Sequence, residues 1–107
     1  MATPQANNRR EPRFDVLADA EAVDTQTGSR VKVRVENISR TGCYLKTSHP
    51  FIVWSRLKLE IVHNGRRCVV EGAVVHMQRG HGMGFSFEKL APQDQSILDA
   101  WLRDLSR

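Results

Sequence analysis

The sequence is poor in cysteine and in long apolar runs, and each shortage excludes a class of protein. Its two cysteines, Cys43 and Cys68, lie in apolar segments of strand-like pattern. We expect buried thiols there, because small secreted proteins built on disulfides are far richer in cysteine. No segment approaches the roughly 20 apolar residues of a membrane-spanning helix. Residues 1–8 also lack the apolar core of a secretory signal, so we expect a cytoplasmic protein without membrane insertion.

Metal sites and catalytic centres also lack their usual sequence patterns. The four histidines and two cysteines include no Cys-x-x-Cys or His-x-x-x-His pair, so we expect no metal site. Acidic residues are scattered, and no nucleophile has a plausible base paired with it. The chain is therefore predicted to have no catalytic residues, no cofactor and no enzymatic activity.

Arginine is the residue type in clearest excess. The 107 residues are enough for one domain. They carry a formal net charge of +4, and twelve of the 16 basic residues are arginine. Arginine presents a planar fork that can bond a phosphate or a guanine edge through two atoms, whereas lysine acts as a point charge. This bias favours specific recognition of an anionic partner. A GC-rich genome would produce the same bias, so composition alone leaves the partner open.

Apolar residues alternate with polar ones along most of the chain, which predicts short β-strands. The clearest case is residues 30–36, where every second residue is valine. Asn64 and Gly65 form a strong hairpin signal. Strands are predicted over residues 14–24, 30–36, 43–47, 57–61, 66–77 and 83–87. This spacing predicts a mainly β domain, either a sandwich or a barrel.

The pattern changes after Leu90. Pro92 suits the first turn of a helix, and Asp94 suits its positive end. Apolar residues then recur with helical spacing at Ile97, Leu98, Trp101, Leu102 and Leu105. One amphipathic helix over residues 92–107 is therefore predicted to cover one end of the β structure.

Two arginines, Arg9 and Arg13, lie just before the first predicted strand. Their spacing alone carries little information, because it recurs in two pairs that we interpret as solvent-exposed: Arg30/Arg34 and Arg103/Arg107. Context distinguishes the first pair, since Pro12 keeps the residue before it out of helical geometry. We therefore predict an extended arm that can bring both guanidinium groups to one ligand.

A polar turn is predicted over residues 37–42, between the second and third strands. Asn37, Ser39 and Gly42 form the pattern Asn-x-Ser-x-x-Gly. One interpretation is structural: Asn and Ser bond to nearby backbone, and Gly takes a left-handed conformation. The other is functional, because an amide and a hydroxyl on a bend with little steric bulk would be accessible to a ligand.

The two motifs together resemble the PilZ family, whose members are receptors for the bacterial second messenger cyclic di-GMP. The family pattern is Arg-x-x-x-Arg and, further along the chain, Asp/Asn-x-Ser-x-x-Gly. This sequence matches it in order at Arg9, Arg13, Asn37, Ser39 and Gly42. The resemblance extends to residues 82–87, which look like the family's closing Gly-x-Gly-aromatic strand.

The resemblance implies a six-stranded antiparallel β-barrel over residues 9–91, which includes the arginine arm. A flexible lead-in at residues 1–8 would precede it, and a C-terminal helix at residues 92–107 would pack on it. Cyclic di-GMP would bind on the outer surface of the barrel.

The resemblance also implies roles for the arginines. Arg9 and Arg13 would bond phosphates or guanine edges and would stack on a base. Arg10 and Arg40 would supply additional ligand contacts. Asn8, which precedes the arm, leaves open whether one or two ligand molecules bind.

The turn residues would complete the site. Asn37 would accept hydrogen bonds from the N1–H and N2–H₂ groups of a guanine. Ser39 would add a hydrogen bond through its hydroxyl, and Gly42 would let the backbone approach the ligand closely.

The function expected from this site is a switch. Without ligand the arm would be loose, and cyclic di-GMP would bridge it to the barrel. This would create or hide a surface for a downstream protein in motility, pilus, exopolysaccharide or chemosensory machinery. One alternative is a PilZ adaptor that acts independently of nucleotide. Another is a nucleic-acid-binding barrel, which the aromatic content of 7% disfavours.

Overall fold

The structure, a computed structural model, describes residues 11–107. The predicted lead-in and the arginines Arg9 and Arg10 lie outside the described residues. The elements in chain order are β1 (Phe14–Asp24), β2 (Arg30–Ile38), β3 (Gly42–Lys46), β4 (Arg56–His63), β5 (Arg66–Gln78), β6 (Gly82–Lys89) and α1 (Pro92–Leu105).

The six strands form one closed antiparallel barrel in the order β1-β2-β3-β6-β5-β4. Of the two architectures that the strand pattern allowed, the barrel is therefore correct. Closure pairs both edges of the sheet, so none of these strands is left as a free edge. The β4–β5 hairpin turns at Asn64 and Gly65, whose φ angles of 53° and 74° are the positive values that a two-residue type I′ turn requires.

Alternation along the strands places one apolar face inside the barrel. Leu57, Leu59 and Ile61 of β4 expose 1% or less of their surface. Val33 and Val35 of β2 are likewise buried. All six strands contribute buried apolar side chains to this core, as small barrels do when side chains fill the interior. Binding surfaces must therefore lie on the outside of the barrel.

Both cysteines lie in this interior as free thiols, as predicted. Burial raises the pKa of the Cys68 thiol to about 12, and burial also raises the pKa of Cys43. The two side chains therefore stay protonated at neutral pH and pack as small apolar groups.

Helix α1 is clamped to the barrel by a buried carboxylate near its start. The Oδ1 atom of Asp94 accepts the backbone N–H of Val69 in β5 at 3.0 Å, and Leu98 and Trp101 bury the apolar face. The helix ends at Leu105, two residues before the predicted end. Ser106 takes the cap position there, and its hydroxyl donates to the carbonyl of Arg103 at 2.9 Å.

The other arginine pairs lie on the solvent-exposed surface, as interpreted from the sequence. Arg30 pairs with Glu21 at 2.9 Å and Arg34 with Asp19 at 3.4 Å. Within residues 11–107, no helix has the length and apolar character needed to cross a membrane.

Replacing Asp94 by alanine should lower the free energy of unfolding by about 1–3 kcal/mol, because the Val69 N–H would lose its acceptor under the helix. Urea-induced unfolding measures this change. The matched control is Asp99→Ala on an exposed position of the same helix, which should change stability by less than about 0.5 kcal/mol. Equal losses in the two variants would contradict the clamp.

Candidate functional site

The turn between β2 and β3 is shorter than the sequence predicted. Asn37 still belongs to β2 and Gly42 already begins β3, so the turn itself is residues 39–41 rather than 37–42. Asn37 stays in the sheet because it pairs with Tyr44 across the β2–β3 ladder. Its side chain is therefore carried by a strand and not by a loop.

Ser39 stabilises this turn through hydrogen bonds made by a buried side chain. It is fully buried, with 0% of its surface exposed. Its hydroxyl donates to the carbonyl of Gly42 and accepts the N–H of Thr41, both at 3.3 Å. Its backbone N–H donates to the same Gly42 carbonyl at 2.8 Å. These are the local bonds that the structural interpretation of the motif predicted. The Ser39 hydroxyl is thus paired within the turn.

Gly42 is needed for a reason that differs from the prediction. It is not among the glycines with positive φ, so the expected left-handed conformation is wrong. A Cβ at this position would lie 2.5 Å from the carbonyl oxygen of Phe85. The approach is this close because Gly42 pairs with Ser86 of β6 where the barrel closes. The absence of a side chain at Gly42 thus allows the start of β3 to pack closely against the backbone of β6.

Arg13 reaches from the arm to the end of β2. Its Nε and Nη2 atoms both donate to the Oδ1 atom of Asn37, at 3.2 and 2.9 Å. Arg13 is exposed, and its guanidinium has five N–H groups, more than the two bonds to Asn37 use. The two sequence motifs are therefore joined by a direct hydrogen-bonded contact between one residue of each.

A second bond fixes the described end of the arm. The hydroxyl of Thr41 donates to the carboxylate of Glu11. Together with the Arg13 bonds, this ties residues 11–13 to the barrel. These residues are bonded to the barrel because the arm and the β2–β3 segment carry complementary polar side chains. The looseness of the arm without ligand stays a prediction.

An open groove lies beside Arg13, on the outer face of β3, β6 and β5. Its volume is about 500 Å³, which is within the range of small-molecule sites. It exists because the register of β5 shifts between Val74 and His76, and because Gly84, which pairs with His76, has no side chain. Its lining includes Arg13, Thr41, Tyr44, Val75, His76 and Ser86.

Two flat rings stand in this groove. The rings of Tyr44 and His76 have centroids 6.0 Å apart and planes at 62°. The Tyr44 hydroxyl donates to the Oε1 atom of Gln78 at 2.6 Å. Desolvation, and secondly the carboxylate of Glu36, raise the pKa of Tyr44, so the phenol stays protonated and keeps donating.

Among the described residues that the sequence predicted, Arg13 and Gly42 line this groove, whereas Asn37 lines an adjoining cleft that also includes Tyr44 and Ser39 is buried. Arg40 is exposed and lines a different cleft of about 320 Å³, which lies between the arm and α1 and also includes Pro12, Leu102 and Arg103. Arg9 and Arg10 lie outside the described residues. The structure thus brings Arg13, Asn37, Ser39 and Gly42 together and turns Arg40 towards the helix.

Sequence reasoning missed the aromatic wall of the groove. Tyr44 could have been found, because Cys43 and Leu45 point inward and alternation then places Tyr44 outside. His76 could not, since its outward position depends on the shift in β5. Glu11 lies inside the arginine arm and was overlooked as the arm's anchor.

The arrangement supplies a cationic fork, hydroxyl groups and two flat rings around one groove. It suits an anionic ligand that also carries a planar base. Within residues 11–107, no group of three or more His, Cys, Asp or Glu side chains is placed to hold a metal ion.

The Gly42→Ala variant should lose about 1–3 kcal/mol of unfolding free energy, because the new methyl group would clash with the backbone of Phe85. Gly84→Ala is the matched control. A Cβ there meets only the ring of His76 at 3.6 Å, so its stability should stay within about 0.5 kcal/mol of wild type. Thermal or urea unfolding distinguishes the two, and an unaffected Gly42→Ala variant would contradict the close approach of the strands.

Comparison with protein families identifies the domain type. The family model described as the PilZ domain matches residues 7–104, which is most of the chain. No curated protein matches the sequence.

Solved structures share the fold. The PilZ domain of YcgR from Escherichia coli, solved with c-di-GMP, matches 92% of this chain and 92% of its own length, with a TM-score of 0.76 and 14% identity. The Bacillus subtilis inhibitor of motility MotI/DgrA matches 92% of this chain with a TM-score of 0.73 and 20% identity. The K. pneumonia MrkH–c-di-GMP complex matches 91% with a TM-score of 0.73 and 20% identity.

The chain spans 52% of the MotI/DgrA chain and 51% of the MrkH chain. At these identities the structural likeness shows a common barrel fold. Together with the family-model match over residues 7–104, it establishes that this chain belongs to the PilZ domain family.

Proposed function

We propose that this PilZ domain is a non-catalytic cytoplasmic receptor that binds cyclic di-GMP beside Arg13 and relays binding to a partner protein. The observation that carries the proposal is the meeting of Arg13 with Asn37 at the groove on the outer face of the barrel. Arg13 lines that groove. The complexes of YcgR and MrkH with c-di-GMP support the choice of ligand by analogy of fold. The two free, buried cysteines suit a reducing compartment.

The ligand's phosphates are assigned to Arg13. A guanidinium forms shorter and stronger hydrogen bonds to a phosphate than to a neutral amide oxygen, because both partners are charged. Only Nε and Nη2 of Arg13 are bonded to Asn37, so other N–H groups of the fork are available at the start of binding. Arg9 and Arg10 are proposed to add cations from the preceding part of the arm.

The guanine bases are assigned to the groove and to Asn37. Base stacking on an aromatic side chain contributes about 1–3 kcal/mol, and Tyr44 and His76 offer ring faces in the groove. The Oδ1 atom of Asn37 is the acceptor that a guanine N1–H and N2–H₂ edge requires. That atom now accepts two bonds from Arg13, so base recognition has to release them.

This exchange supports a switching role. When a phosphate bonds to Arg13 and a guanine bonds to Asn37, the Arg13–Asn37 hydrogen bonds are replaced by bonds to the ligand. The replaced bonds are one of the two contacts that hold residues 11–13. Arg13 is then held by the nucleotide instead of by Asn37, while Glu11 stays bonded to Thr41 of the turn. We propose that Ser39 and Gly42 keep the turn rigid during this exchange and take no further part in it.

The relay is proposed to run through the second cleft. Pro12, between the two anchored residues of the arm, lines that cleft together with Arg40 of the turn and with Leu102 and Arg103 of α1. A shift of the arm would therefore change the surface formed by the arm, the turn and the helix. The partner is proposed to be a protein of motility, pilus, exopolysaccharide or chemosensory machinery.

Isothermal titration calorimetry with cyclic di-GMP tests the site. We expect Arg13→Ala and Asn37→Ala each to weaken binding at least tenfold, about 1.4 kcal/mol or more, because each removes a charged or bidentate contact. Arg30→Ala is the matched control, since Arg30 is an exposed arginine paired with Glu21 at the other end of β2, and its affinity should equal that of wild type.

Undiminished affinity in both site variants would overturn the assignment. A folded protein that releases no heat with cyclic di-GMP would instead favour the nucleotide-independent adaptor. Tight binding to single-stranded DNA or RNA that weakens steeply with salt would favour the nucleic-acid barrel.

A further inference from the structure

The loop between β3 and β4 exposes three consecutive apolar side chains. Ile52 exposes 71% of its surface, Val53 37% and Trp54 72%. Phe51, by contrast, packs against the core and its backbone N–H contacts the sulfur of Met83 at 3.4 Å. The loop is thus anchored at its base and presents its apolar tip to solvent.

Trp54 is held in an unfavourable backbone conformation. Its φ angle is 76°, a value that is rare and strained for a bulky residue. Hydrogen bonds fix it there: the Trp54 N–H donates to the Val74 carbonyl at 2.7 Å, and the Val74 N–H donates to the Ser55 carbonyl at 3.0 Å. The fold therefore holds a large indole in water at the expense of local strain, which is a common sign of a functional position.

The loop adjoins the candidate nucleotide groove. Its backbone bonds are to Val74, and the following residue, Val75, exposes 46% of its surface and lines the groove. Ile52, Val53, Trp54 and Val75 are called the apolar patch below. One member of the patch is thus shared with the groove, so an occupant of the patch would lie beside a bound nucleotide.

The charges around the patch indicate what it fits. Residues 47–55 contain no Asp, Glu, Lys or Arg in a chain that is 26% charged. The next residue, Arg56, forms an ion pair with Glu88. A centre without charged residues that carries a large exposed aromatic side chain resembles the core of a protein–protein contact, which is depleted in charge and rich in aromatic residues.

Two other occupants fit less well. A membrane surface is attracted by unpaired cations beside the apolar tip, whereas Arg56 is neutralised by Glu88. A symmetric dimer pairs the same surface patch of both copies, so the exposed loop tip with Ile52 and Trp54 would meet an identical protruding tip and not a socket. Both alternatives nevertheless give distinct results in the experiment below.

We propose that the apolar patch is the docking surface for a different protein, which receives Trp54 and Ile52 in an uncharged apolar socket. The proposal goes beyond the proposed function, because it locates a further contact surface that shares no residue with the cleft between the arm and α1. Only the effect of nucleotide on this contact rests on cyclic di-GMP binding. The partner would touch the patch and the edge of the groove together, and would thereby sense whether the groove is filled.

The first step of the test is site-specific photocrosslinking in the native host. Benzoylphenylalanine replaces Trp54 in one variant and Leu17 in the control, because Leu17 is equally exposed at 72% but lies on β1. We expect a discrete heterologous protein to be crosslinked from position 54 and not from position 17. Crosslinking from neither position, or equally from both, would overturn the proposal.

The second step measures binding of the purified partner to wild type, Trp54→Gly and Leu17→Ala, with and without cyclic di-GMP. Glycine tolerates the positive φ angle, so Trp54→Gly should keep a thermal midpoint no lower than wild type and an unchanged affinity for cyclic di-GMP. It should lose at least tenfold in partner affinity, while Leu17→Ala loses none.

Full partner affinity in Trp54→Gly would overturn the proposal. So would a Trp54-dependent crosslink to a second copy of the chain, with a concentration-dependent dimer in analytical ultracentrifugation. Trp54-dependent binding to vesicles of phosphatidylglycerol and phosphatidylethanolamine without protein partner would overturn it as well. A Trp54-dependent partner that binds equally with and without cyclic di-GMP would retain the docking surface and contradict only its coupling to the groove.

Discussion

The hydrogen bonds from Arg13 to Asn37 are the constraint on which the candidate site depends. They join a segment before the first strand to the end of the second, at 2.9 and 3.2 Å. These bonds hold the two residues together at the site. They also occupy the Oδ1 atom of Asn37, which a guanine would use, so they must break before a guanine can bind there. A ligand with charged phosphates can shift this balance, since it offers arginine a stronger partner than an amide oxygen.

Much of the fold could be predicted from the sequence, because its signals are local. The alternating valines predicted strand β2. The Asn64-Gly65 pair predicted the β4–β5 hairpin, where both residues have positive φ. The meeting of Arg13 with the Asn37 segment was expected from the family resemblance. The bond that Arg13 forms with Asn37 itself was not, since side-chain pairing within a site is not visible in a motif.

Other features could not be predicted because they depend on contacts distant in sequence. Gly42 is excluded from carrying a side chain by the carbonyl of Phe85 on another strand, so its role was misassigned to a left-handed turn. His76 faces the groove only because the register of β5 shifts beside it. The strain at Trp54 likewise arises from bonds to β5. Such features arise where the barrel closes and where loops are joined to it.

The central claim is that cyclic di-GMP breaks the hydrogen bonds between Arg13 and Asn37 and replaces them with bonds from each residue to the ligand. Side-chain NMR during a titration measures this directly, through the Nε–H resonance of Arg13 and the Nδ2 amide resonances of Asn37. We expect both resonances to move together with the bound fraction, while the Nε–H resonance of Arg30, which pairs with Glu21, does not move. Saturable binding that leaves the Arg13 and Asn37 resonances unmoved would contradict it.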